Sequence, residues 1–193
     1  MVSSRALQWI NSNGGPLLLL PSSLLGVWEG ADEPEPYRGV EARSRWNPGG
    51  PATDYDRACD VTELVGTVQV GVGEGLVLAD EPLATTWWPA PEIGGGILVR
   101  WEYADSDVAA GRWVAAIPGS LPWEPSVRFS FDEGPLVLLD SAEAGPDPSG
   151  PRLEIALSGG VYDVHTIRWR PDATTSLLLH RLKSRAVNSP GHR

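Results

Sequence analysis

Cysteine occurs once in these 193 residues, so there can be no internal disulfide framework and no zinc site of the multi-cysteine kind. That residue, Cys59, lies in Asp54-Tyr-Asp-Arg-Ala-Cys-Asp60, between acids that raise a thiol pKa. It reads as a buried structural thiol rather than a nucleophile. Long apolar runs are also missing. Runs such as Leu17 to Leu20 fall far short of the ~20 residues a helix needs to cross a bilayer. Met1-Val-Ser-Ser-Arg5 leads into Gln8-Trp9-Ile10 without an apolar signal core, which predicts a cytoplasmic protein. Histidine occurs three times, and neither a nucleophile elbow nor an HExxH pattern is present.

The charge is abundant and one-sided. Net charge is −10 with a pI near 4.7, and it is unevenly placed. Residues 1–163 carry 24 acids and 9 bases, whereas residues 164–193 carry 1 acid and 6 bases. An acidic bulk argues against nucleic acid and anionic membrane as partners, and it suits a basic protein partner. Plain solubility would account for the same balance.

Eighteen prolines and 22 glycines cut the chain into short apolar runs, the signature of a mostly-β fold. The expected architecture is an antiparallel β-sandwich-like or curved-sheet single domain over residues 1–183, with one or two short helices and a flexible C-terminal tail over 184–193. Val68-Gln-Val70 and Leu76-Val-Leu78 read as a hairpin around Gly71-Val-Gly-Glu-Gly75. Ile97 to Tyr103 alternates as a half-buried strand. Ser126 to Phe131 and Pro135 to Asp140 read as a hairpin through Asp132-Glu-Gly134. Leu153 to Leu157 follows, and Val161 to Arg170 joins Thr175 to Leu182 through Pro171-Asp-Ala-Thr174. Helical turns are expected after Ser22 and from Asp54 to Leu64 with Asp54 as the cap, while residues 105–116 suit helix and strand equally. Residues 30–53 and 141–151 read as loops.

Four groups of residues carry chemistry worth weighing. Gly71 to Gly75 has neither the lysine nor the helix of a phosphate loop and reads as a hairpin turn. If Asp172-Ala173 centres the last turn, His165 faces His180, and Asp163 shares the face of His165, a two-histidine, one-carboxylate set. Structural or surface histidines are the favoured reading of that pair, so no metal, cofactor or catalytic residue is expected. Nine tryptophans stand against two phenylalanines. Exposed, they would form sugar-binding platforms, but Trp9, Trp101, Trp113 and Trp169 lie in apolar stretches and read as core. Trp87 and Trp88 are adjacent, so on a strand they point to opposite faces and one becomes a candidate interface anchor. Finally, Trp28, Glu29, Asp32, Glu33, Glu35, Tyr37 and Glu41 mix acids with aromatics in a broken loop suited to capturing a basic partner.

Trp9-Ile-Asn-Ser-Asn-Gly-Gly-Pro-Leu-Leu-Leu-Leu-Pro21, followed by Trp28 and Gly30, resembles the opening of the immunity protein 21 family of bacterial polymorphic toxin systems. So do Asp54-Tyr-Asp-Arg-Ala-Cys59, Gly73-Glu-Gly-Leu-Val-Leu78, Asp80-Glu-Pro82, Thr85-Thr-Trp87 and the stretch from Gly94 to Tyr103. The resemblance spans about residues 8–183. It implies a mostly-β fold that protects the producing cell by binding a toxin encoded by an adjacent gene, and it brings no catalytic residues with it.

The expected function is therefore stoichiometric inhibition of a cognate, basic toxin domain, with Trp28, Glu29, Asp32, Glu33, Glu35, Tyr37, Trp87 and Trp88 as the candidate partner-binding residues. Two alternatives differ in what they require. A carbohydrate- or small-ligand-binding β-domain needs a planar row of exposed tryptophans. A metal-dependent enzyme needs His165, His180 and Asp163 to converge.

Overall fold

In the computed structural model, residues 7–32, 52–79, 82–146 and 149–185 are described. Strand accounts for 46% and helix for 14%, as the short apolar runs lead one to expect. Ten strands run in chain order: β1 (Leu17–Pro21), β2 (Gly66–Val70), β3 (Gly73–Leu78), β4 (Ala84–Ala90), β5 (Gly95–Tyr103), β6 (Glu124–Phe131), β7 (Leu136–Asp140), β8 (Leu153–Ile155), β9 (Gly160–Asp172) and β10 (Thr175–Ser184). Helix α1 (Asp54–Cys59) and helix α2 (Asp107–Val114) join two 3-10 turns, Ser22–Val27 and Pro91–Ile93. The strands form two five-stranded antiparallel sheets, ordered β2-β3-β1-β7-β8 and β4-β5-β10-β9-β6.

The sheets pack face to face, because side chains alternate across a strand and each sheet turns one apolar face inward. From the first sheet come Leu17, Leu19, Leu76, Leu78, Leu136 and Leu138; from the second come Leu98, Phe129, Phe131, Tyr162, Val164 and Leu182. The aromatic trio Phe129, Phe131 and Tyr162 stacks along β6 and β9, with centroids 5.7 and 5.8 Å apart.

Both outer faces are covered as well. Over the first sheet, Leu18, Leu20, Val77, Val137 and Leu139 lie under Trp28, Ala58 of α1 and the 3-10 turn leucines Leu24 and Leu25. Over the second, Ile97, Val99, Leu177 and Leu179 lie under Ala110 and Val114 of α2 and a group of partly buried tryptophans. Double coverage explains why β1 and β7 are buried at every position, and why Leu17 to Leu20 does not alternate. It also corrects the expectation for Ile97 to Tyr103: β5 is buried from Gly95 through Arg100 rather than on one face.

Several local expectations hold. The β2–β3 hairpin turns through Gly71 and Val72, since Val70 already pairs with Gly73, and Gly71 supplies the positive φ of 54° that the two-residue turn requires. Residues 105–116 resolve as helix α2, where the Ser106 hydroxyl accepts from the Ala109 N–H. Others need correction. The cap of α1 is Thr53, not Asp54: its hydroxyl accepts from the Asp56 N–H while the Asp56 carboxylate accepts from the Thr53 N–H, a closed capping box. Residues 126–131 and 135–140 are not a hairpin. β6 pairs with β9 and β7 with β1 and β8, so Asp132 to Gly134 carries the chain from one sheet to the other. Phe129 with Phe131 and Leu136 with Leu138 all face the same inner core, and that burial is available only from opposite sheets. At the C-terminal end β10 continues through Ser184, and the Arg185 N–H donates to the Val161 carbonyl at 2.8 Å.

Candidate protein-binding surface

The acidic segment after β1 is held by its own backbone. The Trp28 carbonyl accepts from the Gly145 N–H at 2.8 Å, and the Ala31 N–H donates to the Ala142 carbonyl at 3.0 Å. Between them Gly30 adopts φ 63° so close to Ala142 and Glu143 that a Cβ would overlap their backbone. Only glycine meets both demands. The other side of the segment is fixed to α1: the Tyr55 N–H donates to the Gly30 carbonyl at 2.9 Å, and the Glu29 N–H donates to Asp54 Oδ2 at 2.8 Å.

This contact joins two groups of acids that are separate in sequence. Glu29 and the exposed Asp32 lie beside Asp54, Asp56 and Asp60 of α1 and its C-terminal end. Among the described residues, Arg57 is a counter-charge to this group. Its guanidinium pairs with Asp54, donates to the Gln69 carbonyl at 2.6 Å and lies 5.9 Å from the Trp28 ring centroid. Trp28 itself is fully buried and donates through Nε1 to the Ser141 carbonyl at 3.0 Å. It is a core residue of the first sheet's outer layer, which removes it from the expected contact surface. Glu33, Glu35, Tyr37 and Glu41 lie outside the described residues.

Below the acids is a cavity of about 410 Å³, lined by Gly14, Gly15 and Pro16 from the turn before β1, by Tyr55, Asp56, Ala58 and Cys59 of α1, and by Val61 and Ala79. The Tyr55 ring lies so close against Gly15 that a Cβ there would overlap it. Asp140, almost fully buried, fixes the same turn by accepting from the Asn13 N–H at 2.7 Å and the Ala142 N–H at 3.0 Å. Burial pushes the Tyr55 phenol up to about 12, with the Cys59 thiol, Asp140 and Asp56 adding to it. Burial also raises the Cys59 thiol, reinforced by Asp56, Asp60 and Asp140, and Tyr55 offsets part of this as a hydrogen-bond partner. Cys59 is thus a protonated thiol at neutral pH, as its acidic neighbours imply, but it is half-buried on a cavity wall rather than enclosed in the core.

The remaining candidates separate. Trp87 and Trp88 do point to opposite faces. Trp87 packs on the inner core and covers Gly96, while Trp88 joins the outer layer of the second sheet. That layer also holds Trp9, Trp101, Trp113, Trp123 and Trp169. Their rings meet edge to face, Trp9 with Trp101 at 63° and Trp113 with Trp169 at 88°, so these two pairs do not form the coplanar row a sugar platform needs. Arg181 and Arg112 lie over the Trp123 and Trp113 rings at 4.5 and 5.0 Å.

The histidines do not meet either. A register shift between Thr175 and Leu177 places His180 opposite Thr166 and Arg181 opposite His165. His180 points into the sandwich, fully buried, with Nδ1 2.8 Å from Thr166 Oγ1, whereas His165 is on the other face. Asp163, on the face of His165, lies between Arg128 and Arg185 at 3.7 and 3.3 Å. Among the described residues no group of three or more His, Cys, Asp or Glu is placed to hold a metal ion, and no helix is long and apolar enough to cross a membrane.

No curated protein and no solved structure matches the chain. A family model does: that of Immunity protein 21, over residues 8–175. The match runs from the segment preceding β1 to the first residue of β10 and so takes in the whole first sheet, four of the five strands of the second, and α1; the chain belongs to the Immunity protein 21 family.

Proposed function

We propose that the chain is a non-catalytic immunity protein of a polymorphic toxin system, which binds a cognate toxin domain in the cytoplasm of the producing cell and neutralises it as a one-to-one complex. The observation that carries this reading is the family match over residues 8–175. The chemistry of the surface supports it. A net charge of −10 attracts a basic domain at long range, and Glu29, Asp32 and the acids of α1 concentrate negative charge beside a concave site. Glu33, Glu35 and Tyr37 extend the same segment in sequence, while Trp87 and Trp88 offer half-buried rings elsewhere.

The test is co-expression with the product of the adjacent gene. A toxin that stops growth alone, but is tolerated with this chain and co-purifies with it at equal stoichiometry, supports the reading. Continued growth arrest, or tolerance without a complex, overturns it.

A further inference from the structure

We propose that the cavity between α1 and the Gly14–Pro16 turn receives a cationic side chain, arginine or lysine, projecting from the toxin domain. The inference rests on the reading that this chain binds such a toxin, and it names what the acidic surface grips.

Space comes first. The volume of about 410 Å³ falls within the roughly 300–1,000 Å³ range of sites that enclose small groups, so one long side chain fits. Pro16, Ala58, Val61 and Ala79 supply apolar walls, which suit the methylene stem of a basic residue. Tyr55, an aromatic of the kind that attracts cations, and Asp56 line the same cavity.

Charge decides between occupants. Asp56 lines the cavity and Asp60 and Asp140 lie within electrostatic reach of its wall, while the Arg57 guanidinium is bound to Asp54 and the Gln69 carbonyl. Burial is the main cause of the upward shifts of Tyr55 and Cys59, and the smaller part that Asp56 and Asp140 add to both marks a negative field at the cavity wall. A phosphate or carboxylate would be repelled there, and a purely apolar group would give the Asp56 charge, already bound by the Thr53 N–H, no counter-ion. A cation with an aliphatic stem matches both the walls and the field.

The single cysteine reports occupancy, because Cys59 lines the cavity. Acetyl-arginine amide at millimolar concentration should slow alkylation of Cys59 by iodoacetamide several-fold, while its neutral isostere acetyl-citrulline amide leaves the rate unchanged. Asp56→Asn, which keeps an acceptor for the Thr53 N–H and so preserves the α1 cap, should abolish most of that protection. Equal protection by the two amides, protection by neither, or full protection in Asp56→Asn overturns the inference. The same alkylation in the presence of toxin separates the two readings. A one-to-one complex whose Cys59 reacts at the free-chain rate sinks the cavity inference and leaves the toxin reading standing. Protection by acetyl-arginine amide without any complex does the reverse.

Discussion

His180 makes stability depend on pH in a window where few other groups titrate. It is fully buried on the inner face of β10, 2.8 Å from Thr166 Oγ1, and Ser126 donates to the same Thr166 hydroxyl at 2.8 Å. Burial, with the Arg100 cation adding to it, pulls the ring pKa down to about 3, against about 6.5 in an unfolded chain. The imidazole is therefore neutral in the folded protein while the unfolded chain takes up a proton below about pH 6.5. Stability from this group is complete above that pH and is lost as pH falls toward 3. Each pH unit inside the window costs ~1.4 kcal/mol, so going from about pH 6.5 to about pH 5 should remove roughly 2 kcal/mol. With an m-value near 2 kcal/mol per molar urea, the unfolding midpoint should fall by about 1 M. The pKa values of the Glu143 and Asp172 carboxylates are lowered, so their contributions are lost only at pH values below this interval. Urea titrations followed by tryptophan fluorescence at several pH values measure the slope directly. His180→Gln keeps a partner for Thr166 but cannot ionise, so its midpoint should be nearly flat across the interval whatever its absolute stability. A wild-type midpoint that does not move, or an identical slope in the variant, would refute the argument.

Leu138→Ala empties a position of the inner core that is fully buried, and should cost about 2–5 kcal/mol in chemical denaturation without changing the circular-dichroism signature of the fold. Thr53→Ala opens the capping box of α1 and should cost ~1 kcal/mol, whereas Thr53→Ser should restore most of it. Gly30→Ala combines a left-handed backbone with overlap on Ala142 and Glu143; the backbone conformation alone should cost roughly 1–2 kcal/mol, and a neutral effect on the unfolding midpoint would show that the segment relaxes. Charge reversal of Glu33 and Glu35 should leave folding intact, slow association with the toxin and flatten its salt dependence in stopped-flow measurements. An unchanged rate across ionic strengths would move the contact to another face, with Trp87 and Trp88 the next residues to replace.

Strands were legible where local chemistry is sufficient. The glycine turn at Gly71 and the proline and aspartate before Thr174 marked two real hairpins, and the adjacent pair Trp87 and Trp88 had to straddle a sheet. What failed was non-local. Nothing in Asp132-Glu-Gly134 distinguishes a hairpin from a passage between sheets, because the choice depends on β9 and β1 capturing β6 and β7. Register failed for a related reason. The irregularity between Thr175 and Leu177 displaces the pairing of His180 by one residue, and a displacement of one residue reverses which face a side chain meets. At the candidate site, the acids around Glu29 could be read from composition. Their union with Asp54 and Asp56 could not, since it runs through hydrogen bonds spanning 25 residues. Trp28 was grouped with the surface aromatics, but its burial and its hydrogen bond to Ser141 make it a core residue.

The place of β1 has a consequence for how the protein is made. Its five residues form the central strand of the first sheet, with β3 on one edge and β7 on the other. A ribosome extending the chain at about 5–20 residues per second produces this leucine-rich strand before any of its partners, and its second edge has no native partner until Asp140 has been synthesised. Until then, four leucines and a row of unpaired amides are open to any other strand that passes. The yield of folded protein would then depend on the time the nascent chain takes to close that edge. Slowing translation between β3 and β7 should lower the yield of soluble protein more than the same delay placed after β7.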